Sequence, residues 1–193
     1  MIDQPTTRTC TVYRGHGDSV VVFQAPAEVE PPVHRHASAD AVTLREIMQH
    51  DVVCARADLD VRAIVHLMVK HRIGCIPVID ERHKPIGIIT KFDLVEQLDA
   101  AMQARTDGAP LPSDILAREA EDVMMPLALT LPELATIAHA ASMITAEDTH
   151  HVLVVANDGT LAGVVSTRDI VVWLVSNDPG FTGVPGNRHR GAR

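Results

Sequence analysis

Gly87-Ile88-Ile89-Thr90-Lys91-Phe92-Asp93 returns 76 residues later as Gly163-Val164-Val165-Ser166-Thr167-Arg168-Asp169. Each copy runs from a glycine through two β-branched residues to a hydroxyl residue, with an aspartate three positions further on. β-Branched pairs favour strands, and a Thr or Ser where a helix begins satisfies one of its orphan N–H groups. Each copy therefore reads as a corner at which a strand hands over to a helix. The same offset holds outward from the corner. Ile47-Met48 matches Val123-Met124, Ile76-Pro77-Val78-Ile79 matches Val152-Leu153-Val154-Val155, and Asp93-Leu94-Val95 matches Asp169-Ile170-Val171. An internal repeat of this length marks a supersecondary unit used twice.

Each unit reads alike. A short helix (Leu44–His50; Ala120–Met125) leads to a brief strand (Val52–Ala55; Ala128–Leu131) and then a helix. Val61, Ile64, Val65 and Met68, with Leu67, give the first of these helices its apolar stripe. Leu134, Ile137, Ala138 and Ala141 do so in the second. Strands Cys75–Ile79 and Pro85–Thr90, or His151–Ala156 and Leu161–Ser166, follow across short turns. A closing helix starts at Lys91 or Thr167. This β-α-β-β-α order, run twice, predicts an α/β fold with a partly parallel sheet. The expected division is an N-terminal extension at 1–41 with a hairpin (Thr9–Tyr13, Ser19–Phe23), units at 42–104 and 118–176, a linker at 105–117, and a disordered tail at 177–193 rich in Gly, Pro and Arg.

Composition narrows the function. The 193 residues carry a formal charge of −8, against the clustered basic charge that nucleic-acid backbones require. Aromatics are 3%, so the core must be aliphatic. Cys10, Cys54 and Cys75 lack CxxC spacing, which points to neither a disulfide framework nor zinc. The first residues do not read as a signal peptide, and no apolar run approaches membrane-spanning length. The expectation is a cytoplasmic protein with no membrane or nucleic-acid partner. Among eleven histidines, His34/His36 and His150/His151 form pairs without a recognised metal spacing, and they read as solvated or pH-sensitive surface groups. No catalytic motif is evident, so neither an enzyme nor a required cofactor is expected.

The pattern and its signature corners resemble the CBS domain, named after cystathionine β-synthase, over roughly residues 44–98 and 120–175. The resemblance implies two such domains packed as a pseudo-two-fold pair, a Bateman module. Clefts between the repeats would hold AMP, ATP, NAD or an S-adenosyl ligand such as S-adenosylmethionine, and modules would pair into homodimers.

The corners have a chemistry of their own. A helix start offers N–H groups and partial positive charge to a phosphate, and Lys91, Thr167 and Arg168 lie in the first turn. Asp93 and Asp169 could accept hydrogen bonds from a ribose diol. Equally, either could simply close a capping box onto Thr90 or Ser166. By the resemblance, Gly74, Cys75, Ile76 and Pro77 edge the base with their backbone. Val52 and Val53 would flank its ring; core packing accounts for Val52, Val53 and Ile76 equally well. Pro77, lacking an N–H, should leave a sheet edge open. The second unit departs from the pattern, with His150, His151 and Val152 where the first has Gly74, Cys75 and Ile76. The histidines either block a base or contact the ligand, so the clefts should be unequal. The leading function is a regulatory module that senses an adenine nucleotide and signals to an unidentified effector protein. A ligand-free dimerisation module and a nucleotide hydrolase are the alternatives.

Overall fold

The computed structural model describes residues 8–14, 17–25, 38–103, 115–126 and 128–177, with backbone alone for the first two stretches. The His34/His36 pair, most of the linker and nearly all of the tail lie outside the described residues. A hairpin of β1 (Arg8–Arg14) and β2 (Gly17–Ala25) is followed by β3 (Val52–Ala55), α1 (Val61–His71), β4 (Cys75–Ile79), β5 (Pro85–Thr90) and α2 (Lys91–Gln103). The second unit contributes α3 (Ala120–Val123), β6 (Met125–Pro126), β7 (Thr130–Pro132), α4 (Ile137–Ala146), β8 (His151–Val155), β9 (Leu161–Ser166) and α5 (Thr167–Asn177). One sheet has the order β2-β1-β3-β4-β5-β6 and the other β7-β8-β9. The α/β fold with two repeats is the one the repeat pattern predicts.

The paired strands β4/β5 and β8/β9 share one register: Ile76 faces Ile89 as Val152 faces Val165. α1 starts at Asp60, whose Oδ1 accepts from the Ala63 N–H at 2.6 Å, and α4 starts at Thr136, which accepts from His139. After these helices the chain turns through left-handed residues at matching places, Arg72 (φ 55) and Asp148 (φ 48).

What joins the units is an exchange of their leading segments. Leu44, Met48 and Val42 are buried among Ile137, Val152, Val154 and Val165 of the second unit, while Ala120 and Val123 are buried among Ile64, Ile76 and Ile89 of the first. Reciprocal backbone bonds fix the exchange. Leu44 N donates to Ala135 O (2.8 Å) as Ala120 N does to Leu59 O (2.8 Å), and Ile137 N donates to Val42 O (3.0 Å) as Val61 N does to Arg118 O (2.9 Å). A third cluster, including Val52, Cys54, Cys75 and Ile88 with Leu153 and Val164, packs the two sheets together.

Several sequence expectations need correction. Val65 is 37% exposed, because α1 buries its Val61/Ile64/Leu67/Met68 side instead. Leu134 is 68% exposed and precedes α4; Ala135 takes the inward position. The expected helix at Leu44–His50 is a single 3-10 turn, Leu44–Glu46, because the following residues extend to pair with Val164. The second unit's first strand is Thr130–Pro132, not Ala128–Leu131. β4 is no open edge: it lies between β3 and β5, and its parallel pairing to β3 is registered only beyond Pro77, at Val78 opposite Ala55.

Candidate functional site

The two corners adopt one geometry. At the first, Asp93 Oδ2 accepts from the Thr90 N–H (2.6 Å) and hydroxyl (2.8 Å), while the Asp93 N–H points at Thr90 Oγ1 (3.3 Å). At the second, Asp169 Oδ2 accepts from the Ser166 N–H (2.8 Å) and hydroxyl (2.6 Å), and the Asp169 N–H faces Ser166 Oγ (3.3 Å). These are capping boxes with aspartate at the third helical position. Each helix start is also tied to its own neighbouring strand: Lys91 N donates to Gly74 O, and Thr167 N to His150 O, both at 3.0 Å.

Beside the second corner lies a cleft of about 600 Å³ built from both repeats. Gln49, Val52, Val53, Arg72, Gly74 and Cys75 come from the first, and His150, His151, Ser166, Thr167, Arg168 and Asp169 from the second. The structure thus gathers ten of the residues named from the sequence. Thr90, Lys91 and Asp93 form the other corner and do not line this cleft. Ile76 and Val152 are wholly buried in the two cores, and Pro77 is buried in β4. Gln49 and Arg72, like Asp51 and Ile73, line the cleft without belonging to the signature motif, and Val164 lines it from within the motif. The signal for Gln49 and Arg72 is available at the repeat offset, where Met125 and Asp148 stand in their places.

Asp51 adds an exposed carboxylate to the cleft, and the other charges divide into satisfied and unsatisfied. Asp169 has both oxygens engaged, Oδ2 by the cap and Oδ1 by Gln49 Nε2 at 2.9 Å. Among the described residues, neither Arg72 nor Arg168 forms an ion pair. At the first corner the positions of Arg72 and Arg168 are held by Asp148 and by Phe92, which is 68% exposed, and Lys91 in place of Thr167 is that corner's one cation among these positions. The corners therefore share a backbone and differ in electrostatics.

Cys75 and His151 stand at equivalent places in the two repeats. Burial, and then the Asp169 carboxylate, push the Cys75 thiol up to about 12, so it stays protonated at neutral pH. His151 Nδ1 is buried without a partner, and the Cε1–Nε2 edge of its ring lies 3.3 Å from where a Cβ on Gly74 would be. The glycine gives the imidazole room. Burial, then the neighbouring His150 and finally Lys91, lower the His151 pKa below 6.5 against an opposing pull from Asp169. An unfolded histidine titrates near 6.5. Below that pH the unfolded chain takes up a proton that the folded chain resists, so this residue's contribution is intact above pH ~6.5 and turns against the fold as acid is added. His151→Gln should flatten part of the fall in melting temperature between about pH 7.5 and 5.5, read against wild type in parallel scans. Equal falls would show that His151 titrates alike in both states.

Two α/β repeats joined by exchanged segments, with a cleft between a capped helix corner of one and the strand entry of the other, define a tandem-repeat module. The chain belongs to the CBS domain family, whose pattern matches residues 44–100 and 120–176. Among relatives, an uncharacterized protein of Methanopyrus kandleri is 27% identical over 131 residues, covering 68% of this chain and 62% of its own length. The CBS domain-containing protein CBSX1, chloroplastic, of Arabidopsis thaliana is 24% identical over 147 residues, 67% of this chain and 62% of that protein. This chain thus spans less than two thirds of either relative. Among solved structures, the CBS domain pair of protein MJ0100, in complex with 5′-methylthioadenosine and S-adenosyl-L-methionine, has a TM-score of 0.60 at 20% identity. It covers 71% of this chain and 98% of that one. CBSX2 in complex with AMP has a TM-score of 0.58 at 22% identity, covering 70% and 97%. The CBS domain of a bacterial CNNM/CorC family Mg2+ transporter in complex with ATP has a TM-score of 0.59 at 20% identity, covering 72% and 92%. No described helix is long and apolar enough to cross a membrane.

Proposed function

We propose that this chain is a regulatory module that binds one anionic adenine nucleotide in the cleft between its repeats. The observation that carries the reading is the pair of guanidiniums, Arg72 and Arg168, lining that cleft without carboxylate partners beside a helix start. The cleft's size falls within the range of small-ligand sites. Val52 and Val53 flank the base, and the backbone at Gly74 and Cys75 meets its edge. Asp169 faces the ribose, while Ser166, Thr167, Arg168 and Arg72 surround the phosphate. Two guanidiniums favour AMP, ATP or NAD over the cationic sulfonium of S-adenosylmethionine. Of the three structures named above, two contain AMP or ATP and the third contains adenosyl compounds, which supports an adenine-bearing ligand. Phe92 and Asp148 disfavour phosphate at the other corner, so the stoichiometry is one ligand per chain.

A ligand held by residues of both repeats biases their relative arrangement only if it binds one arrangement better than another. The exchanged leading segments are the elements through which such a bias reaches a partner. Cys75, the cleft's one thiol among the described residues, is kept protonated, which disfavours a thiolate nucleophile there.

A ligand-free dimerisation module is the second reading. It is favoured by α2, which buries no residue and exposes Phe92, Val95, Leu98 and Met102. Calorimetric titration with AMP, ATP, NAD and S-adenosylmethionine decides between them. The expected result is saturable heat for the anionic nucleotides at one site per chain, with the nucleotide recovered unchanged. No heat and no thermal shift at millimolar ligand would leave only the structural reading.

A further inference from the structure

We propose that Gln49 is a specificity-determining residue of this cleft, sharing recognition of a ligand's vicinal diol with Asp169. The proposal rests on the ribonucleotide reading above and adds to it a residue outside both signature corners.

The argument is a count of hydrogen-bonding capacity. An ionised carboxylate has two oxygens with about two acceptor sites each. Asp169 Oδ2 already accepts the N–H and the hydroxyl of Ser166, which fills it. Oδ1 accepts from Gln49 Nε2 at 2.9 Å and keeps one site. Asp169 can therefore take one further donor, whereas a vicinal diol brings two. The carboxamide that holds Asp169 supplies the missing acceptor. Only its NH2 can face an ionised carboxylate, so its Oε1 is fixed as the free acceptor beside Asp169 Oδ1. Together they present two adjacent acceptors, and a monohydroxylated or deoxygenated sugar would leave one idle.

Gln49 is placed by backbone. Its N–H donates to Val164 O at 2.9 Å, and its carbonyl accepts from the Val164 N–H at 3.2 Å. The exchanged leading segment of the first repeat thus carries a side chain into a cleft whose corner belongs to the second. The matching residue, Met125, pairs with Ile88 by the same rule and offers Asp93 no hydrogen bond. Both corners keep their capping boxes; only one gains the amide. Gln49 is accordingly not needed for the cap.

Gln49→Met installs the side chain that the fold already carries at the matching position, so folding is expected to survive, with melting temperature as the check. The probes are AMP, 2′-deoxy-AMP and 3′-deoxy-AMP, titrated into wild type and variant. Wild type is expected to prefer AMP over at least one deoxy analogue by about tenfold, the worth of one good hydrogen bond. In Gln49→Met, AMP should weaken by about tenfold while that analogue changes less than about twofold, so the preference collapses. Equal weakening of all three probes would make Gln49 a scaffold residue, and unchanged or tighter AMP binding would make it a bystander or a competitor; each overturns the proposal. Wild type that binds none of the three overturns the ribonucleotide reading itself, a separate outcome from wild type binding with an indifferent Gln49.

Discussion

Gly163→Ala should destabilise the protein by about 2–3 kcal/mol, at the upper end of what overpacking a tight core costs. A Cβ at this position would lie 2.6 Å from Met48 Sδ, 2.9 Å from Met48 Cγ and 2.9 Å from the Gln49 carbonyl oxygen. A thioether can swing aside. The carbonyl cannot, because it is paired with the Val164 N–H, and moving it lifts the exchanged segment from the second repeat's sheet. The same crowding exists at Gly87, where a Cβ would meet Met124 Sδ at 2.5 Å and Met125 O at 2.9 Å. For a chain of this length, each kcal/mol lowers Tm by roughly 2–4 °C, so a drop of about 4–12 °C is expected for either single variant. Combining Gly163→Ala with Met48→Ala separates the two contacts. If the carbonyl is the obstacle, the double variant stays at least as unstable as Gly163→Ala, because Met48 is itself buried at 4% exposure. Chemical denaturation reads the outcome. An unchanged midpoint in Gly163→Ala would mean that the segment does not sit against β9 as described.

These glycines show what the sequence did and did not make legible. A glycine opening each signature copy was visible at once, as was the capped corner that ends it, because both depend on short-range geometry. Strand Cys75–Ile79 and the α2 and α5 start points followed from the same local rules. What lies over each glycine depends on which repeat the leading segment joins. The apolar pattern of Leu44, Ile47 and Met48 reads the same whether it packs at home or across the pair. The misplaced stripe residues have a similar cause. Val65 fits helical spacing as well as Leu67 does, and only the tertiary partner chooses between them. Leu134 was separable in principle, since its match at the repeat offset is the polar Asp58, whereas Ala135 matches the buried Leu59. Arg72 and Gln49 are hard to read for the opposite reason: a repeat is recognised by what its copies share, and the cleft's distinguishing chemistry lies where they differ.

That difference carries the second large effect. Arg72→Ala and Arg168→Ala are each expected to weaken AMP and ATP by about ten- to a hundredfold, the range for a charge-assisted hydrogen bond to a phosphate. The pair together should lose more than either alone. Adenosine, which lacks the phosphate, should change by less than about twofold, and raising salt should shrink the difference because both groups are solvent-exposed. Stability should hold: neither side chain is buried, and neither forms an ion pair among the described residues that its removal would break. Asp169→Ala behaves differently, since it strips both a ligand acceptor and a capping partner, and so should lower stability by ~1 kcal/mol, the order of a lost cap, as well as weakening binding. The contrast is diagnostic. If the arginine variants weaken adenosine as much as AMP, the guanidiniums shape the cleft without reading the phosphate. If they weaken neither, the nucleotide sits elsewhere. The sharpest form of the test transfers the charge: Phe92→Arg with Asp148→Arg gives the first corner, which already carries Lys91, guanidiniums at the two positions where the second has them. A second equivalent of AMP bound by that variant would show that charge, on an otherwise shared backbone, sets the number of ligands. No gain would mean that the two corners differ in shape as well as in charge.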